Sequence, residues 1–298
     1  DFGYRFLWRL ALLGVFATWN AAFFPAGDVL LLFVVVGVVL FLTRSWSDRA
    51  IGVAAVVLLL QPVEWYHYIA NLINPAHRLP DLKVAERYGE VADYTKAGNW
   101  RDFLLGNVTL GQKASFLWAV NAGRFVQTAG LFLLGFFIGR KQLFMTNEKN
   151  IVFWTKVLII SAISFAPLYT LKELVMENDP IVQQTVGTAF DMWQKLAFTL
   201  VLVASFILLY QHKNFSKAVA GLRFYGKMSL TNYISQSIIG AFIYFPIGLN
   251  LAPYCGYTLS LSVGFLIFLL QLKFCKWWLA RHKQGPLEYI WHKCTWIG

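Results

Sequence analysis

The stretch QPVEWYHYI sets Gln61, Glu64 and His67 in an otherwise apolar run. Glu64 and His67 stand three residues apart, so on a helix they share a face. A carboxylate that orients an imidazole raises its basicity, which is the arrangement of a general base. The same pair would also serve as hydrogen-bonded glue between helices. A second stretch, AVNAGRFVQTAG, aligns Asn121, Arg124 and Thr128 on one helical stripe, with Gln127 beside them. Arg124 lies deep in its apolar run and needs a counter-ion, and Glu64 is the best acid at similar depth. Its alternative role is a clamp for an anionic group or a substrate anchor.

A third cluster is GKMSLTNYISQS. Ser229, Asn232, Tyr233 and Gln236 fall on one helical face, with Arg223 and Lys227 just before them. A helix N-terminus flanked by bases suits a phosphate, although Ser and Asn also bond neighbouring helices. Asp28, in the turn PAGD, suits a helix N-cap, and Asn20 ends the apolar run before it. Followed along their helices, Asn20, Asp28, Glu64, His67, Asn121 and Arg124 reach one depth. A single polar cavity is therefore expected there. Trp19, Trp65 and Trp118 lie at comparable depth, either as an aromatic belt or as stacking platforms. The chain has no Gly-rich phosphate loop, no CxxC and no His/Cys cluster at ligand spacing, so no metal is expected.

Composition says what must position these residues. Of 298 residues, 58% are hydrophobic and 14% charged, against about 45–50% and about 25% in soluble domains. Mean hydropathy is +0.54. A soluble globule, a disordered chain and a disulfide scaffold are excluded, and an all-α polytopic membrane bundle is expected. The net charge of +11 does not imply nucleic acid, because the bases sit in short segments between apolar runs, as the positive-inside rule describes. Three cysteines cannot all pair, and no disulfide is expected.

Eight segments have the length and apolarity to span: about 6–24, 28–43, 51–73, 114–138, 151–171, 189–210, 228–247 and 257–280. A span needs about 20 such residues. Pro62, Pro167 and Pro246 sit inside them and can kink them. Alternate connecting segments carry 16 Lys and Arg on one side and 8 on the other. Both ends are therefore expected in the cytoplasm. One bundle domain over 1–298 is expected, with 74–113 as an extracytoplasmic cap and 281–298 as a cytoplasmic tail. Within the cap, Leu82–Lys96 and Asn99–Leu105 read as short surface helices.

The segments GDVLLLFVVVGVVL, FVQTAGLFLLGFFIGRKQLF, YGKMSLTNYISQSIIGAFIY and GPLEYIW resemble the YeiB-like family of bacterial membrane proteins, defined by domain of unknown function 418. QPVEWYHYIANLINP and TLGQKASFLWAVNAGRFVQTAG are similar to its Bacteroides-type form. Family members usually carry a further amino-terminal segment with an Asp-x-x-Arg-Gly motif. Its absence here leads us to expect missing amino-terminal sequence and about ten spans in all. The family is grouped with membrane acyltransferases, including the acyltransferase-3 and heparan-α-glucosaminide N-acetyltransferase families. The resemblance thus implies acyl transfer from cytoplasmic acyl-CoA to an acceptor on the far side, using an intramembrane His. Many members have that His where this chain has Asn20, so His67 would have to replace it.

Three functions follow as expectations. An acyltransferase of the bacterial inner membrane would use His67 and Glu64 as base and orienting acid. Arg124, Asn121, Gln127, Asp28 and Asn20 would hold a sugar, lipid or small acceptor. Ser229, Asn232, Gln236, Arg223 and Lys227 would receive acyl-CoA. A transporter or lipid-handling protein would instead line a path with these polar groups, and a non-catalytic subunit would pair them internally. The bilayer is the expected partner in each case, and nucleic acid in none.

Overall fold

The computed structural model describes residues 2–296, and every regular element among them is helical. Helix α1 (Phe2–Phe23) and α2 (Leu30–Thr43) are joined by the turn that carries Asp28. Helices α3 (Asp48–Leu59) and α4 (Pro62–Ile73) follow, then α5 (Val84–Lys96), α6 (Trp100–Gly106), α7 (Gln112–Asn121) and α8 (Arg124–Arg140). A π-helical turn, Asn107–Gly111, links α6 to α7. Next come α9 (Glu148–Met176), α10 (Pro180–Val182), the π-helical turn Gln183–Gly187 and α11 (Thr188–Tyr210). The chain closes with α12 (Lys213–Val219), α13 (Leu222–Lys227), α14 (Ser229–Tyr244), α15 (Tyr257–Leu279) and α16 (Pro286–Thr295).

Local chemistry sets many of these boundaries. Ser47 accepts from Ala50 N at 3.2 Å to cap α3, Asn99 accepts from Arg101 N at 2.9 Å to cap α6, and Asn147 accepts from Asn150 N at 2.9 Å to cap α9. Such side chains replace the partners that a first helical turn lacks. The two cap helices expected between 74 and 113 are present as α5 and α6.

The expected eight spans become fewer. Four helical stretches have the length and apolarity to cross a membrane: Gly3–Phe23, Glu148–Met176, Pro180–Tyr210 and Tyr257–Leu279. Two bent pairs raise the number to six at most: α3 with α4, and Trp100–Asn121 with α8. The expected spans at 28–43 and 228–247 fall short for different reasons. Helix α2 is apolar but only 14 residues long, about 21 Å of helix. Helix α14 has 16 residues and carries Ser229, Thr231, Asn232, Ser235, Gln236 and Ser237. The expected spans at 51–73 and 114–138 are each broken in the middle.

The chain divides into two compact units. The first comprises Asp1–Val35, Lys83–Trp118 and Ala218–Gly298; the second comprises Val36–Leu82 and Ala119–Lys217. In the first, Phe16, Ala17, Leu30, Leu230 and Ile234 form a core against which Leu287 and Trp291 of α16 pack. In the second, Ile51, Ala55 and Leu133 join α3 to α8, and α9 lies along α11.

Candidate functional site

The break between α3 and α4 is local in origin. Pro62 has no N–H to continue the α3 ladder, and the residue before a proline is pushed out of the α region. Gln61 takes that position with φ 59°, ψ 59°, and the two helices diverge by 49°. The carbonyls freed at the end of α3 are not left bare: Gln61 N donates to Leu58 O at 3.1 Å, and Trp193 Nε1 donates to Leu59 O at 2.8 Å. The second break falls at Gly123, with φ +62°, a conformation that L side chains rarely adopt.

The two breaks meet in the second unit. A Cβ added to Gly123 would collide with Glu64 Oε1 and would stand 3.4 Å from Gln61 Oε1. Only glycine fits there, and its α-carbon forms the floor beneath both side chains. Gln61 is 0% exposed and Glu64 8%. Gln61 Nε2, Gln61 Oε1 and Glu64 Oε2 are buried with no hydrogen-bond partner among the described residues.

The second break also removes the expected stripe. Asn121 ends α7 and is exposed, whereas Arg124 begins α8, so the two no longer share a helical face. The expected Glu64–Arg124 pairing is replaced as well. Arg124 Nη1 donates to Gln127 Oε1 at 2.9 Å and lies 3.9 Å from Met192 Sδ. Gln127 and Thr128 are buried on α8.

Nor does Glu64 orient His67. His67 Nδ1 is 3.0 Å from His77 Nε2 and the rings stack with centroids 5.3 Å apart. Asn71 Nδ2 donates to His77 O at 3.1 Å and fixes the turn that presents His77. His77 lies in the segment after α4, outside any regular element. The i to i+10 spacing carries no signal, because the chain must reverse after α4 before the rings can meet.

In the first unit, Asp28 caps α2, accepting from Leu30 N at 3.2 Å and Leu31 N at 3.4 Å. It also accepts from Asn20 Nδ2 at 2.9 Å, so these two expected acceptor-binding residues hold each other. The surface helices clamp the same turn. Asn107 Nδ2 donates to Ala22 O at 2.8 Å, Ser115 Oγ to Asp28 O at 3.1 Å, and Tyr94 Oη to Asn107 Oδ1 at 2.8 Å. Burial pushes the Tyr94 hydroxyl up to about 12.

The α14 cluster is closed on itself. Asn232 Nδ2 donates to Tyr225 O at 3.1 Å and contacts Cys275 Sγ at 3.3 Å. Gln236 Nε2 donates to Tyr225 Oη at 2.6 Å and Gln271 Oε1 at 2.9 Å. Gln271 Nε2 returns the bonding to Asn232 O at 3.1 Å and Ser235 Oγ at 2.8 Å. The start of α14, expected to take a phosphate, is filled by the chain itself. Glu288 of α16 accepts from Thr231 N at 2.9 Å and from Thr231 Oγ1 at 2.6 Å. A second anion there would face that carboxylate. Asn232 and Gln236 are spent on internal bonds, Ser229 is exposed, and Arg223 lies over the Phe224 ring at 4.8 Å.

Two of the expected donor-binding residues line clefts: Gln236 borders an apolar cavity of about 280 Å³ with Tyr233, Tyr244 and Phe245, and Lys227 borders a basic one. Lys227 shares its cavity, of about 390 Å³, with Phe224, Arg281, His282 and Lys283. The last three also line an adjoining cavity of about 660 Å³ with Trp278, Tyr289 and His292. The His282 ring stacks on Trp278 at 4.0 Å. Cations and aromatic faces therefore line two hollows in the first unit that share Arg281, His282 and Lys283.

A family model described as "Protein of unknown function (DUF418)" matches residues 138–298, more than half of the chain. The "Uncharacterized protein YxaH" of Bacillus subtilis (strain 168) is 25% identical over 95 residues, 32% of this chain and 24% of that protein. The "Uncharacterized 39.9 kDa protein in amylase 3'region" of Bacillus acidopullulyticus is 37% identical over 91 residues, 30% of this chain and 25% of that protein. The chain thus spans about a quarter of the length of the curated relatives it matches. No solved structure matches. With its long apolar helices and with the family model covering α14, the clefts and α16, this membrane protein belongs to the DUF418 family.

Proposed function

We propose that the protein transfers an acyl group from a cytoplasmic acyl-CoA to a sugar, lipid or small acceptor beyond the bilayer. The single observation that supports this is the pair of adjoining clefts around Arg281, His282 and Lys283. Trp278 and Tyr289 offer faces for an adenine ring, and Lys227, Arg281 and Lys283 offer charge for its phosphates. The chain's resemblance to membrane acyltransferases supports the same reading, as does the bias of Lys and Arg that would place this end in the cytoplasm of a bacterial inner membrane.

In this reading His67 is the base and His77, not Glu64, orients it. With His67 Nδ1–H donating to His77 Nε2, His67 Nε2 is free to take the acceptor's proton. The acceptor oxygen or nitrogen bonds to the thioester carbonyl carbon, the carbon–sulfur bond breaks, and the proton ends on the departing thiol. Arg124 and Gln127 belong to acceptor binding.

The test has two arms. Coenzyme A should quench the tryptophan fluorescence of the purified protein, and Arg281→Ala with Lys283→Ala should abolish the quench. His67→Ala should keep the quench yet lose transfer of labelled acetyl from acetyl-CoA in proteoliposomes. Absence of binding in the unaltered protein would refute the reading. A second reading, solute transport, is favoured by the two broken helices, because interrupted spans line intramembrane binding sites. Acetyl-CoA-independent solute flux in proteoliposomes would select it.

A further inference from the structure

We propose that the meeting of the two breaks in the second unit is a binding site for one desolvated monovalent cation, a proton or a sodium ion, held by Glu64 and Gln61. The inference does not depend on acyl transfer or on solute transport.

Gln61 Oε1 and Glu64 Oε1 both lie against Gly123. Both are acceptors, and neither Gln61 Oε1 nor the other oxygen of the same carboxylate, Glu64 Oε2, has a donor among the described residues. Oxygens that converge without a hydrogen between them repel, unless a positive charge sits there. In a low-dielectric interior that repulsion is not screened. A carboxylate and an amide oxygen are the hard ligands a small cation prefers.

The surroundings fit a guest of ionic size. Gln61 is fully enclosed and Gly123 leaves no room for even a methyl group. A proton on Glu64 would be donated to Gln61 Oε1. A bare sodium ion would instead take both oxygens, after their side chains shift to admit it. The bend at Gln61 and the bend at Gly123 bring these groups together. Gln61 holds a left-handed conformation, which costs about 1 kcal/mol or more in a non-glycine residue. Charged groups nearby are otherwise engaged. Arg124 bonds Gln127, His67 bonds His77, and on α11 Asp191 pairs with Lys195 and Lys172.

The experiment uses the whole chain purified in detergent. Its unfolding temperature is followed from pH 5 to pH 8 in choline chloride, and again with sodium chloride replacing choline at fixed pH. A ligand bound only by the folded state raises that temperature as its concentration rises. A rise on acidification in choline identifies the proton, and a rise with sodium at constant pH identifies the metal ion. Glu64→Gln carries a neutral group in place of the carboxylate and should abolish both responses. Gln61→Leu keeps the carboxylate and should shift the midpoint of the response about tenfold, the worth of one hydrogen bond to a charged group. A flat profile for the unaltered protein in both series, or a Glu64→Gln protein that responds as the unaltered one does, overturns the proposal. Should Glu64→Gln fail to fold, an unchanged midpoint in Gln61→Leu overturns it equally.

Discussion

Two of the polar clusters in this molecule, one on α14 and one where the helix breaks meet, are built to opposite rules. On α14, Asn232, Ser235 and Gln236 form closed circuits with Tyr225, Gln271 and Cys275. At the meeting of the breaks, Gln61 and Glu64 present oxygens and an amide nitrogen that nothing among the described residues satisfies. A closed network rigidifies a fold, and little is left over to recognise a ligand. A buried polar atom without a partner costs about 1–3 kcal/mol, and the cost is offset only when something else occupies the site. The contrast reverses the sequence expectation for α14, whose regular polar face promised a cofactor site.

The largest effect expected on this comparison is at Gly123. Gly123→Leu combines a positive φ with a collision against Glu64 Oε1, and should destabilise by about 2–4 kcal/mol. Thermal unfolding and expression yield measure it, and a near-neutral result would mean that the two breaks do not meet closely. Next is a pair of like substitutions with unlike signs. Asn232→Leu strands the Tyr225 carbonyl and Cys275 and should cost about 1–3 kcal/mol. Gln61→Leu strands no partner and, in sodium-free buffer at neutral pH, should be neutral or stabilising. Equal losses in chemical denaturation would erase the distinction between the clusters.

A smaller effect concerns the start of α14. Glu288→Ala removes two charge-assisted bonds to Thr231 and should cost about 1 kcal/mol. The smallest is at Tyr94, which lies outside both clusters. Its hydroxyl is raised from an ordinary 10 to about 12 by burial. The neutral form is favoured in the folded state, so its stabilisation is complete below pH 10 and is lost as pH rises through about 12. Ultraviolet titration of tyrosinate should show one late-titrating group that Tyr94→Phe removes.

The helical class, the short helices α5 and α6 and the capping role of Asp28 were legible in the chain. Apolar content and a turn before an apolar run act locally and need no partner. Pro62 also marked a kink. The count of spans was not legible in the same way, because apolarity over 114–138 is continuous in sequence although Gly123 divides it. Pairings were misread for a related reason. Glu64 looked like the partner of His67 and of Arg124 by spacing and by depth. Helical periodicity ranks neighbours on one helix, but it cannot rank a residue beyond a chain reversal.

The sequence alone determined that this chain is an all-helical membrane protein: only helices and closed barrels satisfy backbone groups away from water, and its apolar runs are continuous where barrel strands alternate. Only tertiary structure decided which buried polar atoms are paired and which are not. Hydrogen bonding depends on ångström-scale approach between segments distant in sequence. His77 reaching His67, Glu288 reaching Thr231 and Gly123 pressing on Glu64 are all products of that approach.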